Sequence, residues 1–512
     1  MTLLVAVGLL FSAALGEWLW WLWRPQQRGR WLGALMAVTL AYGLALVAPS
    51  WGARPSLSAQ GLFWPQAPPP AAPLSGEAWP WTLLVLGMGT AVIWAGVRYA
   101  QRHPASPAWG SLLLAIGWLA LGSLAAHPAT LVLAWVPWDG LALGMALRQP
   151  GGASRRAQAV ALAWARSLGW MAGLGSLWAP PRTAGVILTL AVLWRLLWQP
   201  WEVVEGRPDS PSYGLGKILR WGQVLLTLEG LRFVPSGAGP WGEGVLLGIA
   251  VVAVGVWVVR REGRADVLSV AVGGLAALAA GQGAGAAVVA AAALYVTLSV
   301  PAALGRAAGR AAWWAWGGVW LALLQVPWTP GAPWAALWSA LGWGARGGVA
   351  LVWLGLAWGA VRRARLAWEA RQPPASPGEA QEESAAADQP FAPWAPPLYP
   401  LGLMMPLIGA YRWSVTLPLG PWSPGWAVAG LLGGALGVGG WWILRRWPWL
   451  RWGSRAWGEG ERLTLGLGRT LWAFYRWSSR MALFLAGLLE GEGGVLWAVV
   501  LLGMLLLWMT GG

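Results

Sequence analysis

The sequence contains no cysteine, two histidines and one lysine, and only 11% of its residues are charged. The absence of cysteine excludes disulfides, thiolate metal sites and cysteine nucleophiles. The two histidines, His103 and His127, both fall at the ends of apolar segments, which makes a histidine-based metal site improbable. We therefore predict a chain that has no metal and no cofactor of its own.

Apolar residues, in contrast, make up 57% of the 512 positions and raise the mean hydropathy to +0.54. Both values are higher than those of soluble globular proteins. A single membrane anchor would not raise the average of so long a chain so far. We expect most of the chain to lie in a lipid bilayer, as an all-α, polytopic bundle of transmembrane helices.

The apolar segments predict about sixteen membrane spans, several of them shorter than the roughly 20 residues that a bilayer crossing needs. They lie at 2–23, 31–49, 81–98, 107–125, 129–147, 158–178, 183–198, 216–233, 242–259, 265–281, 284–303, 312–326, 333–360, 399–418, 425–444 and 492–510. No cleavable signal peptide is evident, because the first apolar run continues through a basic loop into a second span.

The net charge of +16 could indicate nucleic-acid binding, but the arginines cluster in short loops between the apolar segments. If the N-terminus lies outside, nearly all of these loops fall inside, among them 24–30, 148–156 and 362–371. This alternation is the positive-inside pattern of membrane proteins. We predict a multi-pass protein of the bacterial cytoplasmic (inner) membrane. Its basic residues then serve its contact with the lipid bilayer, and we expect no nucleic-acid partner.

Composition also divides the chain. We predict that residues 1–370 form a membrane core of about 13 spans. Residues 371–398 are rich in proline, alanine and acidic residues, which is typical of a flexible linker, here on the cytoplasmic side. Residues 399–512 contain the C-terminal spans, and a segment near 460–484 alternates apolar and basic faces and is expected to lie along the membrane surface.

Several ionisable residues fall within predicted spans, where each costs at least about 2.5–3.5 kcal/mol on insertion scales and usually has a partner in the bundle interior. They are Asp139, Arg166, Arg195, Arg220 and Glu229. Pro200 follows Arg195 closely and would break or end that helix. An Asp139–Arg195 pair could be functional. Alternatively, Arg195 and Arg220 reach the inside interface and Asp139 is a lone structural acid capped by a backbone group.

The order of these motifs resembles that of the antiporter-like proton-translocating subunits of respiratory complex I (NADH:quinone oxidoreductase), which are shared with Mrp antiporters and membrane-bound hydrogenases. In the fifth span, LVLAWVPWDGLAL places Trp138 and Asp139 where that family has Trp-Glu. In the seventh, RLLWQPWEVVEGRPDSP places Arg195 at the family's channel lysine and Pro200 at its proline.

Further matches favour the largest (L-type) subunit. Arg166 in WARSLGW falls near the family's Asn-Arg-Val-Gly-Asp, and Arg220 falls where that subunit type has a histidine. Pro330 and Gly331 in LLQVPWTPGAPWAAL match the position of a helix break in that family. The resemblance covers roughly 1–370 and implies an antiporter-like fold with broken helices.

The resemblance also implies a function. The chain would be a membrane subunit of a redox-driven proton (or cation) pump, coupled to quinone reduction and not catalytic alone. Asp139, Arg195, Arg220 and Arg166 would be its proton-path residues, and other membrane subunits of a multi-subunit complex would be its partners.

Departures from the family pattern leave alternatives open. Arginine replaces the channel lysine at Arg195, and arginine effectively cannot lose its proton. Ala335 stands where the family has an ionisable residue after the helix break. A degenerate, non-pumping spacer subunit is therefore the main alternative. A stand-alone cation/proton antiporter ranks lower. So does a membrane glycosyltransferase-like enzyme, because the long outside loop 50–80 has only Arg54 and Glu77 as charged residues.

Overall fold

The computed structural model describes residues 2–23, 31–48, 78–102, 108–125, 127–148, 153–198, 212–234, 240–259, 265–308, 312–323, 328–369, 395–416 and 480. The elements formed by these residues are α-helices and two short 3-10 segments, with no β-strand among them. The predicted all-α membrane bundle is confirmed. Helices suit this composition because a bilayer offers no water to backbone groups, and a helix satisfies its hydrogen bonds internally.

The described helices are numbered in chain order. They are α1 Thr2–Trp23, α2 Trp31–Val47, α3 Ala78–Arg102, α4 Ala108–Gly122, α5 Pro128–Arg148, α6 Ala153–Gly175, α7 Pro181–Leu197, α8 Ser212–Glu229, α9 Pro240–Val259, α10 Ala265–Gly281, α11 Gly285–Ala308, α12 Ala312–Leu323, α13 Ala332–Ala340, α14 Trp343–Glu369 and α15 Ala395–Ser414. Two 3-10 segments, Ser176–Trp178 and Gly230–Phe233, follow α6 and α8.

Three of the described helices contain stretches long and apolar enough to cross a membrane, namely Leu3–Trp20 in α1, Ala78–Gly96 in α3 and Trp343–Val361 in α14. Shorter apolar stretches of 10–17 residues occur in five others. The stretch in α3 is 83% buried by the rest of the chain, whereas that in α1 is 28% buried. Helix α3 is thus central in the bundle, and α1 presents a broad apolar face to its surroundings.

The predicted span 333–360 is two helices and not one. Helix α13 ends before Leu341, which has extended backbone angles, and α14 begins at Trp343. Hydropathy could not reveal this break, because Leu341, Gly342 and Trp343 are all tolerated within an apolar run. The predicted spans 425–444 and 492–510 lie outside the described residues. So do most of the linker 371–398 and, apart from residue 480, the surface segment near 460–484.

Helix α15 packs against the N-terminal part of the bundle although it follows the predicted linker. The hydroxyl of Tyr42 in α2 donates to the carbonyl of Met405 at 2.6 Å. A Cβ at Gly87 of α3 would lie 3.2 Å from the Met405 carbonyl oxygen, so glycine permits this close approach. The division of the chain at residue 370 stays a prediction.

Helices α5 and α8 run antiparallel and are joined by two tryptophans. Trp135 donates its indole N–H to the Leu226 carbonyl at 2.9 Å, and Trp138 donates to the Leu219 carbonyl at 3.2 Å. Pro137 lies between them inside α5 and removes one backbone donor from the helix. Asp139 therefore follows closely after the position in α5 that lacks a backbone donor, and the two indole bonds hold this part of α5 against the middle of α8.

Candidate functional site

Asp139 and Arg195 form a bidentate ion pair between α5 and α7. Nη1 of Arg195 donates to Oδ2 of Asp139 at 2.8 Å, and Nη2 donates to Oδ1 at 3.1 Å. Asp139 is 6% exposed and Arg195 is 1% exposed. Two parallel charge-assisted bonds hold both groups in one plane, which is the strongest geometry available to this pair.

A second arginine, Arg166 of α6, approaches the same carboxylate. Its Nε lies 3.8 Å from Oδ1 of Asp139 and donates to the Leu162 carbonyl at 3.3 Å. Its Nη1 donates to Oε1 of Gln223 on α8 at 2.9 Å. Arg195 in turn donates from Nη1 to the carbonyl of Arg166 at 3.2 Å. Side chains of α5, α6 and α7 thus meet at one carboxylate, and α8 joins them through the bond between Gln223 and Arg166. Asp139, Arg166, Arg195 and Gln223 are called the charge cluster below.

The side chain of Arg195 is held from two further sides. Its guanidinium carbon lies 4.6 Å from the ring centroid of Trp135, a cation–π contact in a buried setting. Its aliphatic stem passes Gly169 of α6, where an added Cβ would lie 2.4 Å from Cγ of Arg195. Only glycine allows the stem to pass α6 this closely. The neighbouring Trp194 secures the α6–α7 contact by donating to the Ala165 carbonyl at 2.6 Å.

A second buried ion pair lies at the far end of α8. Glu229 is 1% exposed, and its Oε1 lies 3.0 Å from Nη1 of Arg232 in the following 3-10 segment. Gly230, next to Glu229, packs against α5 and α7, since a Cβ there would lie 3.2 Å from the Trp135 ring and 3.1 Å from Val192. The sequence pointed to Glu229 as an ionisable residue, but Arg232 was not singled out. The i, i+3 spacing was the signal that could have paired them.

At the start of α5, the imidazole of His127 accepts the backbone N–H of Ala129 on Nδ1 at 3.1 Å. Accepting this bond requires Nδ1 without a proton. Burial of His127 lowers its pKa, which favours the neutral ring and therefore this arrangement. His127 therefore serves to begin the helix that carries Asp139.

The structure brings together three of the four predicted proton-path residues, Asp139, Arg195 and Arg166. The fourth, Arg220, is 4% exposed on α8, one turn before Gln223. Of the predicted helix breaks, Pro330 and Gly331 lie in the turn that precedes α13. Pro200 lies outside the described residues.

Two members of the site were missed from the sequence. Gln223 carried a usable signal, because an amide within an apolar span needs a partner. Trp135 carried none, because the chain contains 48 tryptophans. Among the described residues no group of three or more His, Cys, Asp or Glu side chains could hold a metal ion.

Chemically, the cluster combines one titratable carboxylate with two cations that do not titrate. Arginine keeps its proton at any physiological pH, so a proton that enters the cluster would bind at Asp139.

Comparisons with known proteins establish the fold. No family model and no curated protein sequence matches the chain. Among solved structures, a chain of the Mrp complex from Dietzia sp. DQ12-45-1b is similar, with a TM-score of 0.61 and 16% sequence identity. The match covers 100% of this chain and 63% of that chain, so this protein spans less than two thirds of its neighbour's length. The protein is an integral membrane helix bundle that shares the fold of that chain of the Mrp complex.

Proposed function

We propose that this chain is a subunit of a multi-subunit membrane complex and takes part in proton translocation, with Asp139 as its proton-binding group. The observation that supports this is the buried Asp139–Arg195 pair, placed where four helices meet. Burial of ionisable groups within a membrane is costly, and such groups mark ion paths more often than packing sites. The fold shared with a chain of the Mrp complex agrees with this reading.

The geometry suggests how proton binding would act on the bundle. Protonation of Asp139 would leave two guanidinium groups, those of Arg195 and Arg166, without their carboxylate. Arg195 is tied to α6 through the Arg166 carbonyl and to α5 through Trp135, so a shift of its guanidinium would strain both contacts. Proton uptake at Asp139 would therefore be coupled to the packing of α5, α6 and α7.

The resemblance to complex I subunits extends the proposal to the source of energy. In this reading the chain belongs to a redox-driven pump, and partner subunits carry out electron transfer to a quinone. The chain itself has no cysteine and two histidines, and it contributes the ion path. As the alternative, the chain belongs to an Mrp-like complex, and the Asp139 site would serve cation/proton exchange without the redox step.

A second candidate, a structural spacer that does not pump, is favoured by one observation. The bidentate pair is well formed and both cations are arginines, as expected of a permanent ion pair that only connects helices. A buried pair of this kind can be retained for the arrangement of the helices it connects. The two candidates differ in one property, which is whether Asp139 must titrate.

The test begins with the complex itself. We would purify the chain gently from its own membranes and identify by mass spectrometry the subunits that accompany it. Quinone-reducing or hydrogenase subunits support the redox pump, and cation-antiporter subunits support the Mrp-like alternative. Recovery of the chain alone, or with cell-envelope enzymes, contradicts membership of either complex.

The second step is Asp139→Asn, measured for proton-coupled activity and for assembly in the same membranes. The half-exposed Glu243 at the start of α9 offers a matched control, Glu243→Gln. Loss of activity in an assembled complex supports proton binding at Asp139, and unchanged activity supports the spacer. If Asp139→Asn does not assemble, the Asp139→Asn/Arg195→Gln double variant removes both members of the pair and keeps the comparison possible.

A further inference from the structure

The charge cluster holds more positive than negative charge. Asp139 contributes one carboxylate, whereas Arg195 and Arg166 contribute two guanidinium groups. Among the described residues the buried carboxylates are those of Asp139 and Glu229, and Glu229 is paired with Arg232. Within the described part of the chain the cluster therefore carries one excess positive charge in the interior of the bundle.

This excess cannot be removed by titration. A buried lysine can release its proton, but arginine does not do so in proteins. An excess charge at a low-dielectric site is stable only when a counter-charge and hydrogen bonds accompany it.

The cluster also has more hydrogen-bond donors than acceptors. Because Arg166 donates to Oε1 of Gln223, the amide of Gln223 is oriented with its NH2 group directed away from that bond. This Nε2, which is buried, has no acceptor among the described residues, and neither does Nε of Arg195. The hydroxyl of Thr227, one turn further along α8 and also buried, has no partner among them either.

An excess of donors and an excess positive charge call for the same ligand, a small anion that accepts several hydrogen bonds. We propose that the Arg166–Gln223 side of the charge cluster binds a monatomic anion of the chloride type. A halide accepts N–H and O–H donors from many directions, which suits donors that come from different helices. A water molecule would satisfy the donors but would leave the charge uncompensated. The inference concerns a binding site and does not depend on whether the chain translocates protons.

The test uses the full chain in detergent or lipid nanodiscs. The thermal unfolding midpoint is measured while chloride replaces gluconate at constant ionic strength, and binding of radioactive chloride is measured by equilibrium dialysis. We expect a saturable rise of the midpoint and stoichiometric binding. Arg166→Gln should weaken chloride binding about tenfold or more, because it removes a charge-assisted donor. Asp139→Asn should strengthen chloride binding, because it removes the competing negative charge.

A matched control is Arg346→Gln, which removes the same charge from α14, where Arg346 stacks on Trp343. It should leave chloride binding unchanged. The proposal is overturned if the wild-type chain binds no chloride, or if Arg166→Gln and Arg346→Gln have the same effect. A wild-type chain that is equally stable in chloride and gluconate would mean that water, or a carboxylate from another part of the chain, completes the cluster. If Arg166→Gln does not fold, the wild-type and Asp139→Asn affinities alone decide the outcome.

Discussion

Gly169 offers the sharpest test of the geometry around Arg195. A Cβ at this position would lie 2.4 Å from Cγ of Arg195, 3.1 Å from its Cδ and 3.4 Å from the Ala191 carbonyl oxygen. Carbon atoms in contact are normally about 3.5–4.0 Å apart, so Gly169→Ala requires a displacement of roughly 1 Å. If Arg195 moves away by that distance, its 2.8 Å bond to Asp139 lengthens beyond hydrogen-bonding range. If α6 and α7 separate instead, the bond from Trp194 to Ala165 is lost.

The expected magnitude follows from opposing terms. Alanine is favoured over glycine inside a helix by about 1 kcal/mol. Overpacking a tight site costs about 1–3 kcal/mol. Breaking a buried ion pair costs about 3–5 kcal/mol when one partner is lost, and a displaced partner costs part of that. We therefore expect Gly169→Ala to lower the free energy of unfolding by about 2 kcal/mol or more.

The assay is reversible unfolding of the full chain by a denaturing detergent in mixed micelles. Gly144→Ala on α5 is the matched control, because a Cβ at Gly144 meets nothing within 4 Å. This control should be neutral or slightly stabilising. Equal stabilities of the two variants would refute the close passage of Arg195 over Gly169, and with it the packing argument for the charge cluster.

Three further predictions concern the ion pairs. Arg195→Lys should keep the positive charge but lose the bidentate geometry, so it should lower the stability of the bundle. If the cation at this position needs to titrate, the lysine variant should also have higher proton-coupled activity than the wild type. Equal activity would show that a fixed charge suffices. Trp135→Leu should destabilise the bundle by about 2–4 kcal/mol, because it removes the buried ring, its cation–π contact with Arg195 and the indole bond to Leu226. Trp135→Phe keeps an aromatic ring and should destabilise the bundle less. Glu229→Gln should lower the free energy of unfolding by about 3–5 kcal/mol, because Arg232 loses the Glu229 carboxylate. The Glu229→Gln/Arg232→Met double variant should recover most of this loss in the same unfolding measurement. Additive effects of the two substitutions would contradict the pairing.

Much of the fold could be predicted from hydropathy, because an apolar run of sufficient length in lipid has to be helical. Helices α5, α7 and α8 lie close to the predicted spans. The division between α13 and α14 was missed, since the extended backbone at Leu341 interrupts the helix without interrupting the apolar run. Hydropathy measures transfer into lipid and carries little information about backbone angles.

The site was predicted in part, for a similar reason. The cost of burying a charge in lipid singled out Asp139 and Arg195 and predicted that each needs a partner. That cost does not identify the partner, and the sequence left open whether Arg195 instead reaches the membrane interface. The structure places Arg195 on Asp139 with both oxygens engaged and brings Arg166 to the same carboxylate.

The sequence by itself determined that the chain is a membrane helix bundle and that a few ionisable side chains must lie in its interior. Both conclusions follow from transfer free energies, which are properties of single residues and short segments. Only the tertiary structure decided that α5, α6 and α7 meet at Asp139, that Gly169 admits Arg195, and that Gln223 of α8 binds Arg166. These are contacts between residues far apart in the chain, and they depend on how helices with similar apolar surfaces pack, which no local property of the sequence encodes.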